Sequence, residues 1–295
     1  MTTVASPCTG ICKLDTVTSW CLGCGRDGQE IADWRHQSEA WRGAVWEAIP
    51  TRLAQMGVAC RRLPWTTDDI RDFVTRTLAD GRGTWVMGVV GAVAEFTAAP
   101  GQRVSVARDG DDLIAHTKGG AAKLRINDDV RALTFDLPDA LSEPRIVLAV
   151  KRERGHLGVS ETIADLGEDR DALISGDGTR LFELGLGRQE ARFCVRVGQG
   201  PARDALEQAV GVPFSTALPA LGGPLLTESP IRVVQTALGR SEVEGKIPPP
   251  NAQSPAGPHT HLLPDHLATG RALPVGMDLP RAYIPGAVFY PPKVV

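Results

Sequence analysis

Four of the six cysteines, Cys8, Cys12, Cys21 and Cys24, fall within seventeen residues as Cys-x3-Cys-x8-Cys-x2-Cys. Four thiolates brought to one point repel unless a cation neutralises them. Soft sulfur donors in that number suit tetrahedral zinc, or iron in a mononuclear or cluster site. The second pair reads Cys21-Leu22-Gly23-Cys24-Gly25, the sequence of a knuckle in which backbone N–H groups point at sulfur and Gly25 takes a turn that other residues resist. In a reducing compartment, clustered cysteines favour metal ligation over disulfides. The expectation is one metal site at Cys8, Cys12, Cys21 and Cys24, zinc or iron–sulfur, with a structural role.

A second group lies near the other end. His259, His261 and His266 are three of the six histidines within eight residues. Side chains two apart in an extended segment share a face, so His259 and His261 can approach one ligand, with Asp265 as a further donor or in acid–base chemistry. An active or metal site using His259, His261, Arg232, Arg240 and Glu242 is one reading; histidines satisfied by backbone in a proline-rich arm is the other. Weaker signals are the Gly185–Gly187 and Gly198–Gly200 pairs, which lack the third glycine of a dinucleotide loop. An anion at the N-terminus of the helix after Gly198 is the remaining use for the second pair. Cys194 reads as a buried small hydrophobe in mid-strand.

The stretch Ser6-Pro7-Cys8, Cys12, Cys21-Leu22-Gly23-Cys24-Gly25-Arg26, Glu30-Ile31 and Trp34 resembles a short bacterial domain of unknown function, usually described as a predicted iron–sulfur protein. The likeness covers residues 6 to about 57 and departs at Asp27-Gly28, where the family carries a hydroxyl residue and an acidic one. It implies a metal-binding module. The block from Ser229 to Pro264 resembles a second uncharacterised bacterial family, which spans the rest of the chain and implies no activity.

The elements that must position these residues divide the chain in three. A four-cysteine module is expected over residues 1–58, with a short helix from Asp27 to Trp34. A second helix is capped by Ser38 and stopped or kinked at Pro50. Trp20, Trp34, Trp41, Trp46 and Trp65 supply bulk to a region poor in aliphatic residues. Residues 61–64 read as a connector. From residue 65 to 247 an α+β domain is expected, opening with a helix capped by Thr66 and Asp69. Strands follow, with a hairpin at Asp109-Gly110 and a mainly antiparallel sheet with few helices. Eleven of the twenty-two prolines lie between Pro248 and Pro292, so residues 248–295 are expected to be a proline-rich arm packed on the second domain, with little regular structure.

A formal net charge of −3 and a pI near 6.1 give no electrostatic case for nucleic acid or an anionic membrane as partner. The first residues have neither a basic n-region nor an apolar h-region, so the expected location is the cytoplasm. The principal expectation is a metal module serving a structural or interaction role, with a protein as partner. The rival is an enzyme with its site near His259 and His261.

Overall fold

The computed structural model describes residues 4–11, 13–89, 92–135, 145–187, 189–248, 256–262 and 279–292. A short helix, α1 (Gly28–Asp33), and a longer one, α2 (Glu39–Gln55), form the N-terminal module, and α3 (Thr67–Asp80) opens the second part. Further on come α4 (Arg152–Gly155), α5 (Pro201–Gln208) and α6 (Phe214–Glu228).

Among the described residues every strand pairing is antiparallel. A seven-stranded sheet takes β1 (Cys60–Arg62), β2 (Thr84–Val89), β3 (Ala92–Phe96), β7 (Val130–Phe135), β8 (Arg145–Lys151), β14 (His259–Leu262) and β15 (Tyr283–Tyr290), in the order β1-β7-β8-β15-β2-β3-β14. An eight-stranded sheet takes β4 (Ser105–Asp109), β5 (Asp112–Thr117), β6 (Gly120–Arg125), β9 (Ala164–Glu168), β10 (Arg180–Glu183), β11 (Ala191–Val197), β12 (Ile231–Thr236) and β13 (Gly239–Val243), in the order β4-β5-β6-β13-β12-β11-β10-β9. One apolar core joins Trp85, Phe96, Leu148 and Phe289 of the first sheet to Leu124, Phe193, Val195 and Val234 of the second. The two sheets therefore face each other, and α3 closes the core with Ile70, Val74 and Leu78. The α+β class and the antiparallel pairing are as the sequence indicates.

Local signals account for most elements. Thr66 and Asp69 form a reciprocal cap at α3, and Ser38 Oγ accepts from Trp41 N at α2. The Asp109-Gly110 turn joins β4 to β5. Four expectations need correction. Helix α2 runs on through Pro50, because Val45, Trp46, Ile49 and Leu53 gain a core of their own around Trp34. The expected connector is partly strand: Cys60, Arg61 and Arg62 pair with Phe135, Thr134 and Leu133. Trp65 packs on Phe73 of α3 with ring centroids 4.9 Å apart, so it belongs to the second part.

The largest difference is in the proline-rich arm. Its last described stretch, β15, lies in the interior of a sheet, between β8 and β2. Pro285 is accommodated because β15 pairs with β2 only from Ala287 on, and a register shift beside β8 absorbs the rest. Phe289 is buried and Tyr290 half-buried. Leu263, Leu267, Val275 and Met277 lie outside the described residues.

Candidate metal centres

The edge strand β14 carries the histidines. It pairs with β3 so that His259 lies opposite Glu95 and His261 opposite Val93. Thr260 lies opposite Ala94, a core residue, so Thr260 faces the core while Glu95, His259 and His261 share the outer face. His259 Nε2 is 2.9 Å from Glu95 Oε2 and 3.0 Å from His261 Nε2, and His261 Nε2 is 3.4 Å from Glu95 Oε1. Among the described residues this is the one His, Cys, Asp or Glu group of three whose ligand atoms all lie within 4.8 Å of one another.

The electrostatics explain why such a triangle needs a positive charge. The second ring nitrogen of His259, Nδ1, is 3.0 Å from Gly257 O, a contact that requires the proton on Nδ1. In the neutral ring, Nε2 is then a lone pair facing a carboxylate. A proton or a metal ion must sit between them. Burial alone would lower the pKa of His259, but the contacts with Glu95 and Gly257 O outweigh it and hold the ring above its ordinary value. Glu95 is held below its ordinary value, chiefly by His259. A metal held by imidazole Nε2 at about 2.0–2.1 Å in tetrahedral geometry needs donors about 3.3 Å apart, close to the separations here.

Sequence reasoning pairs His259 with His261 but omits Glu95. The signal was present, since Glu95 is the one charged residue between Trp85 and Phe96. That run reads as a single apolar stretch, and only the hairpin of β2 with β3 turns Glu95 towards β14.

The other residues assigned to that site go elsewhere. Arg232 pairs with Val195 and Val243 on the core side, where it reaches β14 only from behind the histidines, with Nε donating to Thr260 Oγ1 at 3.4 Å and Nη1 to Gly245 O at 2.5 Å. Arg240 and Glu242 lie on the opposite face of the eight-stranded sheet, in an ion cluster with Arg196 and Asp169. They are bound to each other and cannot also serve the histidines. Asp265 and His266 lie outside the described residues. The N-terminus of α5 already holds an anion of the chain's own, since Glu228 Oε1 accepts from Ala202 N at 3.1 Å. Cys194 is wholly buried, and burial pushes its thiol pKa well up.

In the N-terminal module, Cys21 and Cys24 are buried and Cys8 is exposed; Cys12 lies outside the described residues. Two equivalent contacts mark the sulfur loops: Gly10 N donates to Cys8 Sγ and Gly23 N to Cys21 Sγ, each at 3.4 Å. Gly25, at φ 68°, turns the chain after Cys24 and donates to Cys21 O at 2.8 Å. The two loops touch, with Thr9 Oγ1 donating to Gly23 O at 3.0 Å. Arg26 donates from Nε to Cys24 Sγ at 3.4 Å and stacks over Trp34. Burial raises the Cys24 thiol pKa against that contact.

The molecule is thus a two-sheet α+β protein with a small cysteine-bearing module at its N-terminus. Residues 69–295 match the family of unknown function DUF6925, and the chain belongs to that family. Glu95, His259 and His261 all fall inside the match. Residues 6–53, with all four clustered cysteines, match a second family, the protein of unknown function DUF1289. No curated protein and no solved structure matches the chain. No helix among the described residues is long and apolar enough to cross a membrane.

Proposed function

We propose that this protein is a metalloprotein whose sheet domain holds one divalent metal ion with Glu95, His259 and His261. The observation that carries the reading is the triangle of donor atoms at 2.9, 3.0 and 3.4 Å, with His259 Nδ1 engaged by Gly257 O. A backbone carbonyl that fixes the tautomer is the usual outer partner of a metal-bound imidazole. Two imidazoles and one carboxylate suit zinc or ferrous iron, and three protein ligands leave a position for water or substrate. That open position favours an enzyme over a purely structural site. A bound ion there would supply Lewis acidity or an activated water.

The test is metal content and cobalt(II) titration of the full chain. An equivalent that contributes no thiolate-to-cobalt band, over and above any held by the cysteines, is expected, and it is lost in Glu95→Gln and His261→Ala at unchanged melting temperature. Retention of that equivalent in both variants would mean the triangle is closed by a proton alone.

A second reading concerns the module. The paired Gly10 and Gly23 N–H contacts to sulfur favour a metal at Cys8, Cys12, Cys21 and Cys24, zinc or an iron–sulfur cluster, in a structural module that docks a protein partner in the cytoplasm. Anaerobic purification with an absorbance spectrum separates the two metals. A colourless protein holding a zinc equivalent that Cys24→Ser abolishes would exclude the cluster.

A further inference from the structure

At the edge of the seven-stranded sheet opposite β14, register gathers cations on the outer face. Arg62 on β1 pairs with Leu133, two residues along β7 from Arg131. Arg131 pairs with Ala149, two residues along β8 from Lys151, and Lys151 pairs with Tyr283 of β15. Residues two apart in a strand share a face, so these side chains form one diagonal row. Arg152 of α4 and Arg281 extend it, and the Cys8–Gly10 loop of the N-terminal module supplies a wall. Together they line a cleft of about 660 Å³, within the usual range for a small-molecule site.

The charges there do not balance. Among the described residues that line it, five are arginine or lysine, against one carboxylate, Glu153. Asp129 lies 3.2 Å from Lys151 and is the counter-ion of that residue alone. Among the described residues, none of Arg62, Arg131, Arg152 and Arg281 makes an ion pair. Arg62 spends Nη1 on Ser6 O at 2.5 Å, and Arg131 spends Nη1 on Asp128 O at 2.6 Å. Arg152 donates to the carbonyls of Arg281 and Tyr283. The Nε atoms of both Arg62 and Arg131 are buried with no hydrogen-bond partner. Neither guanidinium is matched by a carboxylate of the cleft, so the positive charge of the cleft exceeds what the described residues around it neutralise.

We infer that this cleft binds the phosphate group of a small organic phosphate. A phosphate monoester carries up to two charges and accepts along three P–O bonds, so guanidiniums arriving from different strands can all reach it. A carboxylate offers one plane and one charge. The volume exceeds that of inorganic phosphate, which leaves room beside Tyr283 for the organic part.

Calorimetric titration of the full chain with inorganic pyrophosphate, at constant ionic strength, tests the assignment, with citrate as the carboxylate comparison. Saturable pyrophosphate binding is expected, weakened at least tenfold in Arg131→Gln and again in Arg281→Ala. The exposed Arg281 guards against misfolding of the first variant, and the melting temperature of each is recorded. No saturable heat, tighter binding of citrate than of pyrophosphate, or unchanged affinity in both variants would each overturn the proposal.

Discussion

The most constrained side chains are the four charged ones under the eight-stranded sheet. Glu242 accepts from Arg240 Nε at 2.6 Å, from Arg196 Nη2 at 3.0 Å, and from Leu173 N and Ile174 N at 2.9 and 3.0 Å. Its side chain and that of Arg196 are fully buried. Glu242→Gln leaves two buried guanidiniums with one carboxylate, so urea denaturation should show a loss of about 3–5 kcal/mol. Asp169 adds a pH dependence. Burial would raise its pKa, but Arg240 and Arg196 outweigh that and hold it below 3.8. A depressed carboxylate stabilises the fold above its unfolded pKa, and that contribution is lost as pH falls below about 3.8 through the folded value. Asp169→Asn should be less stable at neutral pH and show a flatter acid limb; an acid limb as steep as the parent's would contradict this. Thiol titration gives a third check. In metal-depleted protein the exposed Cys8 should react quickly, and Cys194 only after unfolding.

Single elements carry different weights. Strand β14 has four residues and one strand partner, β3, so it is among the less supported parts of its sheet. If Glu95, His259 and His261 hold a metal, one zinc equivalent should slow amide exchange across residues 259–262, measured by mass spectrometry. Exchange unaffected by zinc would count against the centre. Helix α3 rests on its cap: Thr66→Ala removes the acceptor for Asp69 N and should lower stability by about 1 kcal/mol. Helix α6 was missed in the sequence because Pro219, Pro224, Gly222 and Gly223 argue against it. It forms because Phe214, Ala217, Leu221 and Leu225 reach the core at helical spacing, and tertiary burial outweighs poor local propensity.

At the scale of the whole chain, the module and the sandwich have separate apolar clusters, the first built on Trp34, Val45, Trp46, Ile49 and Leu53. If the cysteines hold a metal, Cys24→Ser should melt the module while the sandwich stays folded, because so small a module would draw its stability from the ion. The tryptophan signal divides accordingly, since Trp65 and Trp85 pack with Phe73 beside the sandwich core. One cooperative transition for both parts would show that the boundary near residue 60 does not separate two folding units.

What the sequence determined by itself is what short-range patterns encode. The cysteine spacing with its glycines, the caps at Ser38 and Thr66, and strands such as Arg145–Lys151 and Ala191–Val197 are legible because neighbours along the chain set them. The alternation in His259-Thr260-His261 likewise put both rings on one face. What the tertiary structure decided is every pairing between distant residues. Glu95 meets the histidines across more than 160 positions, Arg240 and Glu242 are drawn away by Asp169 and Arg196, and β15 enters the interior of a sheet despite its proline. Register between strands far apart in sequence depends on the assembled core, and no local spacing carries it.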